Sequence, residues 1–166
     1  MPLLAGWNRD EGAGRALPGF SAPGLAGLAS YAAGRFGAEA PEFLRLFAAE
    51  DDASAALAAH EFSGDDLIAL STWRWMEAHL RTGRATVFRY RFDQPMPPKP
   101  GAPTAPKGLV PHAADIPFVF GALADMGDGW DQAHHAVSDL MMSYWIKPTS
   151  YFRHREGPGG CTVWFA

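Results

Sequence analysis

The stretch Pro2–Gly12, "PLLAGWNRDEG", decides how the rest of the chain is read. Leu3 and Leu4 predict an apolar strand over Pro2–Trp7, and the polar turn "NRDEGAG" follows it. Loops at the carboxyl ends of strands converge on one rim of an open α/β sheet, so an acidic turn directly after a buried strand is a natural place for a chemical group. Two carboxylates stand there, Asp10 and Glu11. Taken alone, each is equally what a solvated turn contains. The strand begins at residue 2 with no turn or cap before it, which leaves an edge to be covered and leads us to expect a missing N-terminal segment.

Helical stretches come next. "GLAGLASYAAGRFG" (24–37), "PEFLRLFAAE" (41–50) and "DDASAALAAHEF" (51–62) are rich in Ala and Leu, and Pro41 suits a first helical turn. At "SGDD", Ser63 and Asp66 approximate a capping box, predicting that a further helix starts there. Leu67, Leu70, Trp73, Met76 and Leu80 then recur at spacings of three and four, predicting one buried stripe, with Arg81 in the last turn and Gly83 closing it.

"ATVFRYRFD" (85–93) alternates Thr86, Phe88, Tyr90 and Phe92 with Val87, Arg89 and Arg91, a strand with one aromatic face. The proline-rich run 94–108 can be neither a central strand nor a helix and reads as a stiff surface connection, with PxxP-mediated binding as its functional alternative. "DIPFVFG" (115–121) reads as a second short strand or extended segment. "DGWDQAHHAVSDLMMSYW" (128–145) reads as a last helix with Ala133, Val137, Leu140, Met141 and Tyr144 on one face and Pro148 as its stop. Helices alternating with strands give an α/β class.

Composition narrows the function. The 166 residues are 48% hydrophobic and 19% charged with a net charge of −4, enough for one cored domain and without the basic stripe that nucleic acid requires. No apolar run reaches membrane-spanning length, and neither a charged n-region nor an apolar h-region marks a signal peptide, so localisation stays open. The single cysteine, Cys161, rules out an internal disulfide framework. In the glycine-rich "GPGGCTVWF" it reads as a small residue entering a terminal strand, with a nucleophile as the alternative.

Among the histidines, His112 stands out. Pro111 restricts the backbone before it and the apolar "IPFVFG" anchors the chain after it, so its imidazole is held on a defined loop, as a general base requires. An idle loop histidine has the same local sequence. His134 and His135 lie about 100° apart on a helix, and Asp131 with His135 supplies only two groups, so a solvated helix face is expected there and no metal site. His60, His79 and His154 stand alone. No CxxC, HExxH, Walker-type or GxGxxG pattern occurs.

"PLLAGWNRDEG" resembles the strand and turn that carry the acidic triad member in the type-B carboxylesterase/cholinesterase family: apolar strand, Gly, any residue, Asn, basic residue, Asp-Glu-Gly. "HAADIPFVFG" resembles that family's catalytic-histidine segment. Between and after them, "FSGDDLIAL", "ATVFRYRFDQP" and "VSDLMMSYW" are similar to its helix before the last long strand, that strand itself and its C-terminal helix. The likeness spans about residues 2–145. It breaks at a divergent tail, 146–166, whose closing "GPGGCTVWFA" is again similar to the family's ending.

The resemblance implies the C-terminal part of an α/β-hydrolase fold, an incomplete sheet with flanking helices. It further implies Glu11 as triad acid, His112 as triad base, a small-molecule carboxylic ester as substrate, and no metal or organic cofactor. No serine lies in a G-x-S-x-G elbow: Ser21, Ser30, Ser54, Ser63, Ser71, Ser138, Ser143 and Ser150 all lack it, and no glycine-rich oxyanion loop is present. The expectation is therefore a fragment, 1–166, that is inactive alone and completed by the missing N-terminal segment. A non-catalytic, esterase-like interaction protein is the alternative.

Overall fold

The computed structural model describes residues 2–13, 17, 20, 22, 24–97, 108–146 and 161–165, the last of these by their backbone. Strand β1 (Leu3–Asn8) is followed by helices α1 (Gly24–Phe36), α2 (Ala40–Leu46), α3 (Asp52–Gly64) and α4 (Leu70–Thr82). Then come β2 (Val87–Phe92), the single turn α5 (Ile116–Val119), α6 (Gln132–Ile146) and β3 (Cys161–Phe165). The strands form one parallel sheet in the order β1-β2-β3, with Leu3 opposite Val87, Asn8 opposite Phe92, and Phe88 opposite Cys161. Parallel neighbours need long crossovers, and the helices supply them. The chain is thus mixed α/β with a small parallel sheet. Cys161 is the first residue of the terminal strand.

Both sheet faces are covered. On one, Ala5, Met76 and Val87 pack together with Leu3, Trp7 and Leu80, bringing α4 onto β1 and β2. On the other, Phe92, Val110, Ala114, Phe118, Leu123, Val137 and Met141 form a core beneath α5 and α6. Phe92 and Phe118 meet edge to face at 4.8 Å, an arrangement worth about 0.5–1.5 kcal/mol beyond the area it buries. A separate cluster joins α1, α2 and α3 around Leu28, Tyr31, Phe43 and Phe62.

Four local expectations are corrected. No helix starts at Ser63: α3 runs through a π turn, Asp65–Ala69, straight into α4, and Ser63 is buried inside it. The cap lies earlier. Asp51 accepts from the Ser54 amide at 2.7 Å while the Ser54 hydroxyl accepts from the Asp51 amide at 3.0 Å, a reciprocal box that satisfies orphan donors. The Ser54 hydroxyl, donating to Asp51 Oδ1 at 2.6 Å, and then the Ser54 amide hold the Asp51 carboxyl below its ordinary range. The predicted stripe is mostly uncovered: Met76 is buried and Leu80 partly so, whereas Leu67, Leu70 and Trp73 are exposed.

"DIPFVFG" is not extended. Pro117 sits in the first turn of α5, the Phe118 and Val119 amides donate to the Asp115 carbonyl at 3.1 and 3.0 Å, and Gly121 (φ +63°) turns the chain out. Four apolar residues can bury one side as a single helical turn, and Pro117 and Phe118 do so. On α6 the buried line is His134, Val137, Ser138 and Met141, with Ala133 and Leu140 exposed. The proline-rich run at 98–107 and the tail at 147–160, with His154, lie outside the described residues.

Candidate acid–base site at the rim of the sheet

Beyond β1 and β2 the two chains stay side by side. The Arg9 amide donates to the Phe92 carbonyl at 3.0 Å, the Asp10 amide to the Val110 carbonyl at 3.0 Å, and Asp10 bridges to Pro111 in parallel sense. The returning segment 108–112 therefore lies against the acidic turn. Asp10 is spent on that join: its Oδ2 accepts from the Val110 amide at 2.8 Å and from Arg9, whose guanidinium also donates to the Gly108 carbonyl. This separates the two carboxylates that local chemistry alone leaves nearly equivalent.

Glu11 turns inward. Its side chain is 6% exposed; Oε1 accepts from the Asn8 amide at 2.8 Å, and Oε2 lies 2.6 Å from Nδ1 of His112. The two residues suggested by separate segments of sequence are thus in contact. An ionised carboxylate can only accept, so this contact assigns the proton to Nδ1 and leaves Nε2 as the nitrogen with an open lone pair. The His112 side chain is 67% exposed, and among the described residues nothing is bonded to Nε2. A buried acid behind an open imidazole can orient the ring and stabilise its protonated form, the support that a general base needs.

Close backbone approach holds the acid turn. A Cβ on Gly12 would fall onto the His60 carbonyl and lie 2.6 Å from the Gly64 nitrogen, while one on Gly64 would lie 2.9 Å from the Gly12 nitrogen and 3.2 Å from the Glu11 Cβ. The end of α3 is thus the floor beneath Glu11.

The histidine turn is held by side chains to which the sequence assigned no role. Asn8 is 1% exposed, and its Nδ2 donates to the Pro111 carbonyl at 2.9 Å and to Asp115 Oδ1 at 3.1 Å. The Tyr90 hydroxyl donates to Asp115 Oδ2 at 2.9 Å. Burial, then the negative charge of Asp115, pushes the Tyr90 hydroxyl far above its ordinary range, so it remains a donor. Inside this frame Ala113 adopts φ +66°, the left-handed region. A polar residue closing a buried strand was the available signal for Asn8, since buried amides are found where hydrogen bonds need them.

The other histidine readings separate. His134 is not on a solvated face: it is buried against Phe118 and Trp130, with Nδ1 2.6 Å from Asp131 Oδ1 and Nε2 3.1 Å from the Pro95 carbonyl. Asp131 thus meets the histidine three residues on, and the His134 backbone amide, then its imidazole, hold the Asp131 carboxyl below its ordinary range. His135 and His60 are exposed. Among the described residues no group of three or more His, Cys, Asp or Glu is arranged to hold a metal, and no helix is long and apolar enough to cross a membrane. No protein-family model and no curated protein matches the chain.

Proposed function

We propose that Glu11 and His112 are the acid and base of a serine-esterase triad, carried by a C-terminal segment of an α/β-hydrolase of the type-B carboxylesterase/cholinesterase kind. The observation that carries the reading is the 2.6 Å contact between Glu11 Oε2 and His112 Nδ1, made across 101 positions of sequence at the carboxyl rim of a parallel sheet. In this reading Nε2 removes the proton of a serine hydroxyl as it attacks an ester carbonyl. The same nitrogen then returns the proton to the leaving alkoxide, and Glu11 stabilises the imidazolium between the two steps. The serine and the oxyanion donors come from a polypeptide segment outside these 166 residues. The chain alone therefore lacks both the nucleophile and the largest electrostatic contribution.

The test is complementation. The chain alone is expected to give no His112-dependent hydrolysis of p-nitrophenyl butyrate. Produced together with a segment bearing a G-x-S-x-G elbow and a glycine-rich oxyanion loop, it is expected to give hydrolysis that His112→Ala lowers by roughly 10³-fold or more. A complemented complex indifferent to His112→Ala would remove the triad assignment. Hydrolysis by the chain alone that His112→Ala abolishes would contradict the external nucleophile.

A second reading, an esterase-like protein that binds a partner without turnover, is favoured by the apolar surface of α4, where Trp73 is 43% and Trp75 56% exposed. It predicts a stable complex that needs the two tryptophans and is indifferent to His112→Ala.

A further inference from the structure

We propose that Asp115 is a positioning residue for His112, acting through a clamp that closes on both ends of the histidine turn. Its catalytic meaning rests on the triad reading above; its physical content does not. One carboxylate receives a donor from each of two strands, Asn8 Nδ2 from the end of β1 at 3.1 Å and the Tyr90 hydroxyl from β2 at 2.9 Å. The same Asn8 amide group donates at 2.9 Å to the Pro111 carbonyl, so the residue before His112 and the residue three after it hang from one side chain. The Asn8 backbone amide holds the other partner, Glu11, at 2.8 Å. Asn8 therefore fixes acid and base relative to each other, and Asp115 is the acceptor that keeps its side chain turned toward the loop.

The clamp has work to do because His112 itself is open. About two thirds of its side chain is open to solvent, and the next residue, Ala113, occupies a backbone region unfavourable to a side chain. A two-thirds exposed ring next to a strained residue would sample many rotamers unless both flanks were pinned. Asp115 reaches the Glu11–His112 bond only by way of Asn8 and the backbone, so it is not itself a reacting group. Neutral donors meeting a carboxylate make stronger bonds than neutral pairs.

The readout is the His112 ring in the intact chain, identified among the six histidines by comparison with His112→Gln. Nitrogen-15 NMR reports the Nδ1–H tautomer demanded by Glu11, and solvent exchange of that proton reports how long the contact survives. In Asp115→Ala, exchange is expected to accelerate about tenfold with loss of the single tautomer, the scale of losing one such bond. Tyr90→Phe should move it the same way and Asp115→Asn less, since the amide oxygen still accepts from Tyr90. Backbone amide exchange in α1–α3 should stay unchanged.

A folded variant whose His112 proton exchanges as in the native chain overturns the proposal. So does one in which that proton and the α1–α3 amides accelerate together, which is a merely structural effect. Should Asp115→Ala not fold, Tyr90→Phe decides by the same two outcomes. No ester is involved, so failure of the esterase reading leaves this result standing.

Discussion

Gly12 of the acid turn rests on Gly64 of α3, backbone on backbone, with no room for a methyl group on either. This contact makes the last turn of α3, midway along the continuous helix 52–82, the support of Glu11, so a substitution with no chemistry of its own should reach the site. Gly12→Ala must push the turn off the helix against a carbonyl oxygen and an amide nitrogen, neither of which can swing aside. The expected loss is about 1–3 kcal/mol by urea unfolding. The His112 Nδ1 proton should lose protection as Glu11 shifts.

Removing the Glu11 carboxylate should cost stability. Glu11 is buried and accepts from the amide of Asn8, itself sealed from solvent. Glu11→Ala leaves that N–H unpaired, and a buried unsatisfied donor costs about 1–3 kcal/mol. Glu11→Gln retains an acceptor oxygen and should lose less. Denaturant midpoints of the two variants check the order, and equal midpoints would contradict it.

Phe118 is fully buried beneath the histidine turn, against Phe92, Trp130 and His134. Phe118→Ala opens a cavity at the centre of the second core, with an expected loss of about 3–5 kcal/mol. Because α5 follows directly on Asp115, the loss should be accompanied by broadened His112 resonances. The α1–α3 cluster, which shares no residue with this core, should keep its amide protection.

Tyr90 gives the pH dependence. Burial and Asp115 raise its hydroxyl above the ordinary 10.0, so the folded form binds the proton more tightly than the unfolded chain. The stabilisation is fully present below pH about 10 and is lost as pH rises from there toward the folded value. Absorbance of tyrosinate near 295 nm is expected to register Tyr90 only as the protein unfolds in alkali. Tyr90→Phe should flatten that alkaline limb. An ionisation of Tyr90 ahead of unfolding would show the hydroxyl to be less enclosed.

Much of this candidate site is legible in the sequence, because Glu11 and His112 sit in short segments that each declare a local role. "NRDEG" is a turn after an apolar strand, and Pro111 with "IPFVFG" makes the His112 loop definite. What local rules cannot supply is the choice between Asp10 and Glu11, which depends on the Val110 amide a hundred positions away. His134 escapes local rules for the same reason: its cover comes from Phe118, Trp130 and Pro95. "SGDD" has the chemistry of a helix start, yet contact between Gly64 and the acid turn holds it inside a continuous helix, a tertiary demand that outweighs capping preference. For "DIPFVFG" a signal exists and points correctly. Pro117 is in a first helical turn just as Pro41 is.

The π turn at Asp65–Ala69 carries one residue more than an α-helical turn would, and on either side of it the helix serves different masters. Ala55, Ala58, Ala59 and Phe62 address the aromatic cluster, while Met76 addresses the sheet. Winding that stretch as a regular α-helix with every residue retained would swing the second half by about 100°, taking Met76 off Val87 without altering any side chain in the core. The π turn absorbs the extra residue and so keeps the phase between the floor under Glu11 and the wall behind the strands, and a further inserted residue should be tolerated far less well than replacing an exposed residue within it.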